Sequence, residues 1–152
     1  FHNFKHLDWK NAVKDIEAAG LYLKSLGCTK VAITGFCLGG ALTIATLTLY
    51  PELFTAGVPF YGVPDLSSYN LANIKCPVLA HFGEKDCAAG FSDPESAKRL
   101  ETAAKEAGIN FTLHMWENAD HAFMNQDRDT YNPELANKAM EETVEFINKA
   151  NK

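Results

Sequence analysis

No apolar run in these 152 residues approaches the roughly 18 residues that a membrane-crossing helix requires. The opening residues Phe1-His2-Asn3-Phe4-Lys5-His6 are too polar for the hydrophobic segment of an export signal. No cluster of lysine and arginine occurs, and 14 basic residues against 19 acidic ones leave a net charge of -5. Nothing in that balance draws the chain to nucleic acid or to an anionic lipid surface, so neither is expected as a partner. Cysteine pairs of the CxxC kind are missing, as is any His/Cys cluster at zinc-binding spacing, so no metal is expected. Cys28, Cys37, Cys76 and Cys87 therefore read as reduced thiols in a cytoplasmic-type compartment. Three of them are expected to be packing residues, and Cys37 is not. An initiator methionine is also missing, and a helical pattern begins at once with no leading strand. A processed or truncated protein is the expectation.

What is present suits one α/β domain over residues 1–152. Trp9, Val13, Ile16, Leu23 and Leu26 recur at three- and four-residue steps, which predicts a helix over 8–26 with Asp8 as N-cap and Gly27 as its left-handed end. A short β-prone run, Val31–Thr34, leads into a second helix over 38–49. That helix is apolar nearly all round and is stopped by Pro51. Strands are predicted at Ala56–Tyr61, Val78–Phe82 and Phe111–Trp116, with helices over 94–107 and 133–148. Residues 64–75 and 118–132 read as long loops. Strands alternating with helices argue for a parallel sheet covered on both faces.

The junction Gly35-Phe36-Cys37-Leu38-Gly39-Gly40 carries the chemistry. A strand runs into a glycine, a nucleophile-type residue flanked by arbitrary ones, and a second glycine, and an apolar helix starts at once. This is the G-x-S-x-G elbow with cysteine in place of serine. A turn so tight strains the nucleophile's backbone, and Gly35 and Gly39 are expected to let strand and helix approach. The exposed N–H groups at the helix start favour a thiolate there. Such a nucleophile needs an acid and then a histidine further along the chain. Asp86 follows the strand ending near Gly83 and has room to turn back; Glu84, one residue past Gly83, is its rival. Among the histidines, His2 and His6 lie at the N-terminus, and His81 and His114 lie within strands. His121 lies in a loop directly after the strand ending at Trp116, where a triad base belongs. Asp120 beside it is a weaker candidate for orienting the ring. The roles are then Asp86 fixing the tautomer of His121, His121 taking the proton of Cys37, and the Leu38 backbone N–H serving an oxyanion.

Over essentially its whole length the chain resembles the dienelactone hydrolases, cysteine-dependent members of the α/β-hydrolase superfamily. The resemblance rests on Gly35 to Gly40, Tyr50-Pro51, Phe60-Tyr61-Gly62, Pro77 to Asp86, and His121-Ala122-Phe123. It implies an ester or lactone hydrolase working through an acyl-cysteine, with a small-molecule substrate and no cofactor. Members usually carry a further sheet half before the helix that opens this chain. That half holds a second oxyanion donor, a glutamate that helps activate the cysteine and a substrate-binding arginine, none of which is among these residues. An arginine that grips the substrate carboxylate four residues after the catalytic histidine is here Asn125, which cannot make the same charged contact. The expectations are that a partner chain or upstream segment completes the sheet, and that the first helix covers a sheet face while leaving the edge strand open. The competing reading is a catalytically silent member of the fold that serves as a structural or binding subunit.

Overall fold

The computed structural model describes residues 6–152, so His2 lies outside the described residues. Helix α1 (Trp9–Ser25) is capped by Asp8, whose carboxylate accepts the Asn11 N–H. Strand β1 (Ala32–Phe36) feeds α2 (Leu38–Leu49) through Cys37 alone, and β2 (Ala56–Phe60) follows. A 3-10 turn at Leu71–Asn73 interrupts the expected 64–75 loop before β3 (Val78–Gly83). Then come α3 (Pro94–Ala107), β4 (Phe111–Trp116) and α4 (Pro133–Ala150). Both α3 and α4 open with proline in the first turn and an Asp93 or Asn132 cap, as the missing proline N–H allows.

The four strands are parallel and stand in the order β1-β2-β3-β4, so the expected α/β sheet is present. Every residue of β2 and β3 is buried, whereas β1 exposes Thr34 and Phe36. Gly57 faces Leu47 of α2, and the opposite face carries a row of rings. Phe36, Phe60, His81 and His114 pair in register across all four strands, and His81 meets Thr143 of α4. Helices α2 and α4 therefore cover opposite faces.

Three expectations need correction. Strand β1 runs on through Gly35 and Phe36, because Phe36 still pairs with Phe60 and the chain turns only at Cys37. Helix α1 packs on α2 instead of covering the sheet, with Gly20 set against Leu53 and Phe54. Its expected apolar face is buried at Val13, while Leu23 and Leu26 are exposed. Of the three cysteines expected to pack, Cys76 is in the core with its thiol pushed up to about 11 by burial, but Cys28 and Cys87 are exposed.

Candidate active site

The elbow puts Cys37 between the last pairing residue of β1 and the first turn of α2. Its backbone sits at φ 57° and ψ -117°, a conformation that L-residues rarely adopt. The strain is held from both sides: the Cys37 N–H donates to the Phe60 carbonyl, and its own carbonyl accepts from Gly40 and Ala41. Gly35 is required, since a Cβ there would stand 2.1 Å from the Gly39 carbonyl oxygen. At Gly39 a Cβ would meet nothing within 4 Å, contrary to expectation; the second close approach is at Gly40, 2.3 Å from the Phe60 oxygen.

Turns after β3 and β4 bring two further side chains to the sulfur. His121 places Nε2 3.2 Å from Cys37 Sγ and Nδ1 2.8 Å from Asp86 Oδ2. Asp86 is buried, and its other oxygen accepts the Ala88 N–H at 2.9 Å. The rival Glu84 is exposed on the same loop, and Asp120 spends its carboxylate on the His121 backbone N–H. His121 is gripped again at its carbonyl, which accepts from Thr130. The hydrogen bond to Asp86, then the one to Cys37, push the His121 imidazole up to about 9. Burial alone would raise the Cys37 thiol. The hydrogen bond and charge of His121, with the Leu38 N–H aimed at the sulfur, outweigh burial and hold it below the ordinary thiol range. The arrangement stabilises a thiolate on Cys37 beside an imidazolium on His121.

A cavity of about 350 Å³ opens on the sulfur, lined by Phe36, Cys37, Tyr61, Ala122, Met124 and Asn125. Three of these, Cys37, Tyr61 and Ala122, have positive φ without being glycine. Backbone strain just past β1, just past β2 and in the loop after β4 is thus gathered around one hollow. Tyr61 meets the His121 ring edge-to-face, with ring centroids 5.1 Å apart. Asn125 is at the rim, its side-chain oxygen taken by the Asp127 N–H, while Arg128 is exposed.

Sequence reasoning missed Ser92, whose hydroxyl lies 3.0 Å from His121 Nδ1. The only local signal was its place before the Asp93-Pro94 start of a helix, which reads as capping. One other cluster, His81, His114 and Glu142, has the residue types of a metal site. His81 Nδ1 accepts the Trp116 indole N–H at 2.9 Å, which puts the imidazole proton on Nε2, facing Thr143. That leaves His81 no lone pair for an ion.

The sequence pattern of the Dienelactone hydrolase family matches residues 1–151. An Aquifex aeolicus protein provisionally named carboxymethylenebutenolidase is 36% identical over 119 residues, covering 78% of this chain and 50% of its own. The Pseudomonas putida carboxymethylenebutenolidase is 29% identical over 143 residues, covering 92% of this chain and 58% of its own. A solved Klebsiella pneumoniae structure, provisionally described as a dienelactone hydrolase, superposes with a TM-score of 0.77 at 23% identity. The match covers 89% of this chain and 59% of that one. The chain thus spans about half the length of the curated relatives it matches. Among the described residues, no helix is long and apolar enough to cross a membrane.

Proposed function

The chain belongs to the dienelactone hydrolase family, and from that premise we propose that it hydrolyses small esters or lactones through an acyl-cysteine on Cys37. The observation that carries the reading is the unbroken contact Cys37–His121–Asp86, with His121 Nε2 on the sulfur and Nδ1 on the carboxylate. The Cys37 thiolate attacks the substrate carbonyl carbon, and the carbonyl oxygen becomes an oxyanion facing the Leu38 N–H. As the tetrahedral species collapses, the C–O bond to the alcohol breaks and the leaving oxygen takes the proton from His121 Nε2. Neutral His121 then takes a proton from water, whose oxygen attacks the acyl-cysteine. Collapse of that second adduct releases the acid, regenerates the thiolate and leaves the imidazole protonated. Asp86 keeps the other proton on Nδ1 throughout. Each proton moves between His121, water and substrate, so the cycle calls on no cofactor.

The outer edge of β1 supports a second element of the proposal. An adjoining segment or a partner chain supplies a further strand there, and with it any oxyanion donor beyond Leu38. A location in a reducing, cytoplasmic-type compartment fits the use of a thiolate.

The test is made on the full-length protein with a chromogenic acetate ester and a thiol-directed ester probe. Cys37→Ala should abolish turnover while leaving the thermal midpoint nearly unchanged. The probe should label Cys37 ahead of Cys28, Cys76 and Cys87. The pH profile of turnover should fall on the acid side as the thiolate takes a proton. On the alkaline side it should fall near the value of about 9 at which His121 loses its proton. A Cys37→Ala protein with most of its turnover would overturn the assignment.

A further inference from the structure

Asp86 is not alone at the far side of His121. Ser92 is fully buried, and its Oγ stands 3.0 Å from Nδ1, the same nitrogen that lies 2.8 Å from Asp86 Oδ2. An ionised carboxylate only accepts, so its contact requires the proton on Nδ1. Ser92 then accepts a share of that same N–H. A single N–H···O bond lets an imidazole pivot along the carboxylate. Two acceptors in different directions fix the ring plane.

Both acceptors are delivered by one turn. The Ala88 N–H donates to Asp86 Oδ1, and the Ala88 carbonyl accepts from Phe91, Ser92 and Asp93. Asp93 in turn caps α3 through the Ser96 N–H. The position of Ser92 is therefore tied through Ala88 to Asp86 and through Asp93 to a helix start. The other groups around the ring are Cys37 at Nε2, the edge of Tyr61 and the ring of Phe91. Asp120 bonds the backbone N–H instead of the imidazole.

We propose that Ser92 is a positioning residue for His121, sharing the Nδ1 proton with Asp86 and holding the ring on the line from Asp86 to Cys37. The inference rests on the assignment of Cys37, His121 and Asp86 as the reacting set. Loss of one hydrogen bond to an imidazolium predicts a drop in kcat of about tenfold for Ser92→Ala, with KM within about twofold. The pH at which iodoacetamide alkylates Cys37 half-maximally should rise, because an imidazolium that loses an acceptor is a weaker partner for the thiolate.

The decisive comparison uses the full-length protein, the chromogenic acetate ester and four forms: parent, Ser92→Ala, Asp86→Ala and the double variant. In the Asp86→Ala background Ser92 is the remaining acceptor on Nδ1, so its removal should cost more than in the parent. Ser92→Thr, which keeps the hydroxyl, should restore the alkylation profile. Should Ser92→Ala fail to fold, Ser92→Gly removes the same oxygen and is read in the same way. Additive losses, or an alkylation profile identical to the parent's, would overturn the role of Ser92. Cys37→Ala run alongside separates the two levels: if it keeps its turnover, the reacting set is wrong and Ser92 falls with it. If it loses turnover while Ser92→Ala matches the parent, only the Ser92 inference fails.

Discussion

At Gly35 and Gly39 the same residue type serves different ends, and a single methyl group distinguishes them. A Cβ at Gly35 would press on the Gly39 carbonyl from 2.1 Å, backbone against backbone, with Thr43 Oγ1 at 2.8 Å behind it. No rotamer change relieves that contact, so Gly35→Ala should move the elbow. It is expected to cost roughly 1–3 kcal/mol of stability, and to cost turnover as the sulfur shifts off His121. Gly39→Ala meets open space at the second position of α2 and should gain up to about 0.5 kcal/mol from helix propensity, with turnover kept. Denaturant midpoints and ester turnover of the two variants check this. Equal damage from both would mean that Gly39 is crowded by something beyond the described residues.

The aromatic row on the α4 face of the sheet has a consequence for acid stability. His81 is fully buried at the centre of that row, stacked on Phe60, receiving the Trp116 indole N–H and meeting Thr143. Burial first, and the charge of His114 second, push its imidazole down to about 3. An unfolded chain takes up this proton near pH 6.5, while the folded one refuses it until about 3. The stability that a neutral His81 allows is thus complete above about pH 6.5. It declines by about 1.4 kcal/mol per pH unit as acid is added below that. Urea midpoints between pH 7 and 4 should show the slope, and nitrogen NMR should find His81 neutral with its proton on Nε2 at pH 5. An imidazole that titrates near 6 in the folded protein would refute it. The sequence made the elements themselves legible, because α1, α3 and α4 each have a periodic face and a side-chain cap, α2 is an apolar run stopped by Pro51, and each inner strand is a short apolar run. It also made Cys37, Asp86 and His121 legible as candidates, because elbow, strand end and post-strand loop are positional signals. Ser92 was not legible: its hydrogen bond depends on how the turn at Ala88 folds, which no spacing encodes. The packing of α1 was missed for a related reason. An apolar stripe says that a face is covered, without saying by what.

Across the whole molecule, covered and uncovered surfaces are unevenly divided. Strands β2 and β3 are buried at every residue, but β1 pairs only with β2 among the described residues. Its Thr34 and Phe36 are exposed, and Phe36 also lines the cavity on Cys37. Further apolar side chains stand exposed, Leu21 and Leu23 on α1, Leu26 just past its end, and Met140 and Val144 on α4. A parallel strand with a free edge offers a row of N–H and C=O groups to any extended chain, and apolar surface beside it favours the encounter. The proposed closing strand would satisfy those groups and put a wall on the Phe36 side of the active-site cavity. The same logic makes the unclosed state adhesive. A polypeptide of these 152 residues alone should therefore self-associate as its concentration rises, bind an apolar dye, and show little ester turnover even with Cys37, His121 and Asp86 intact. Sedimentation velocity across a range of concentrations, run beside the form in which β1 has its closing strand, measures this directly. That closed form should sediment as a defined species and unfold cooperatively. A 152-residue product that stayed monomeric, unfolded cooperatively and left the dye unbound would show that β1 needs no neighbour.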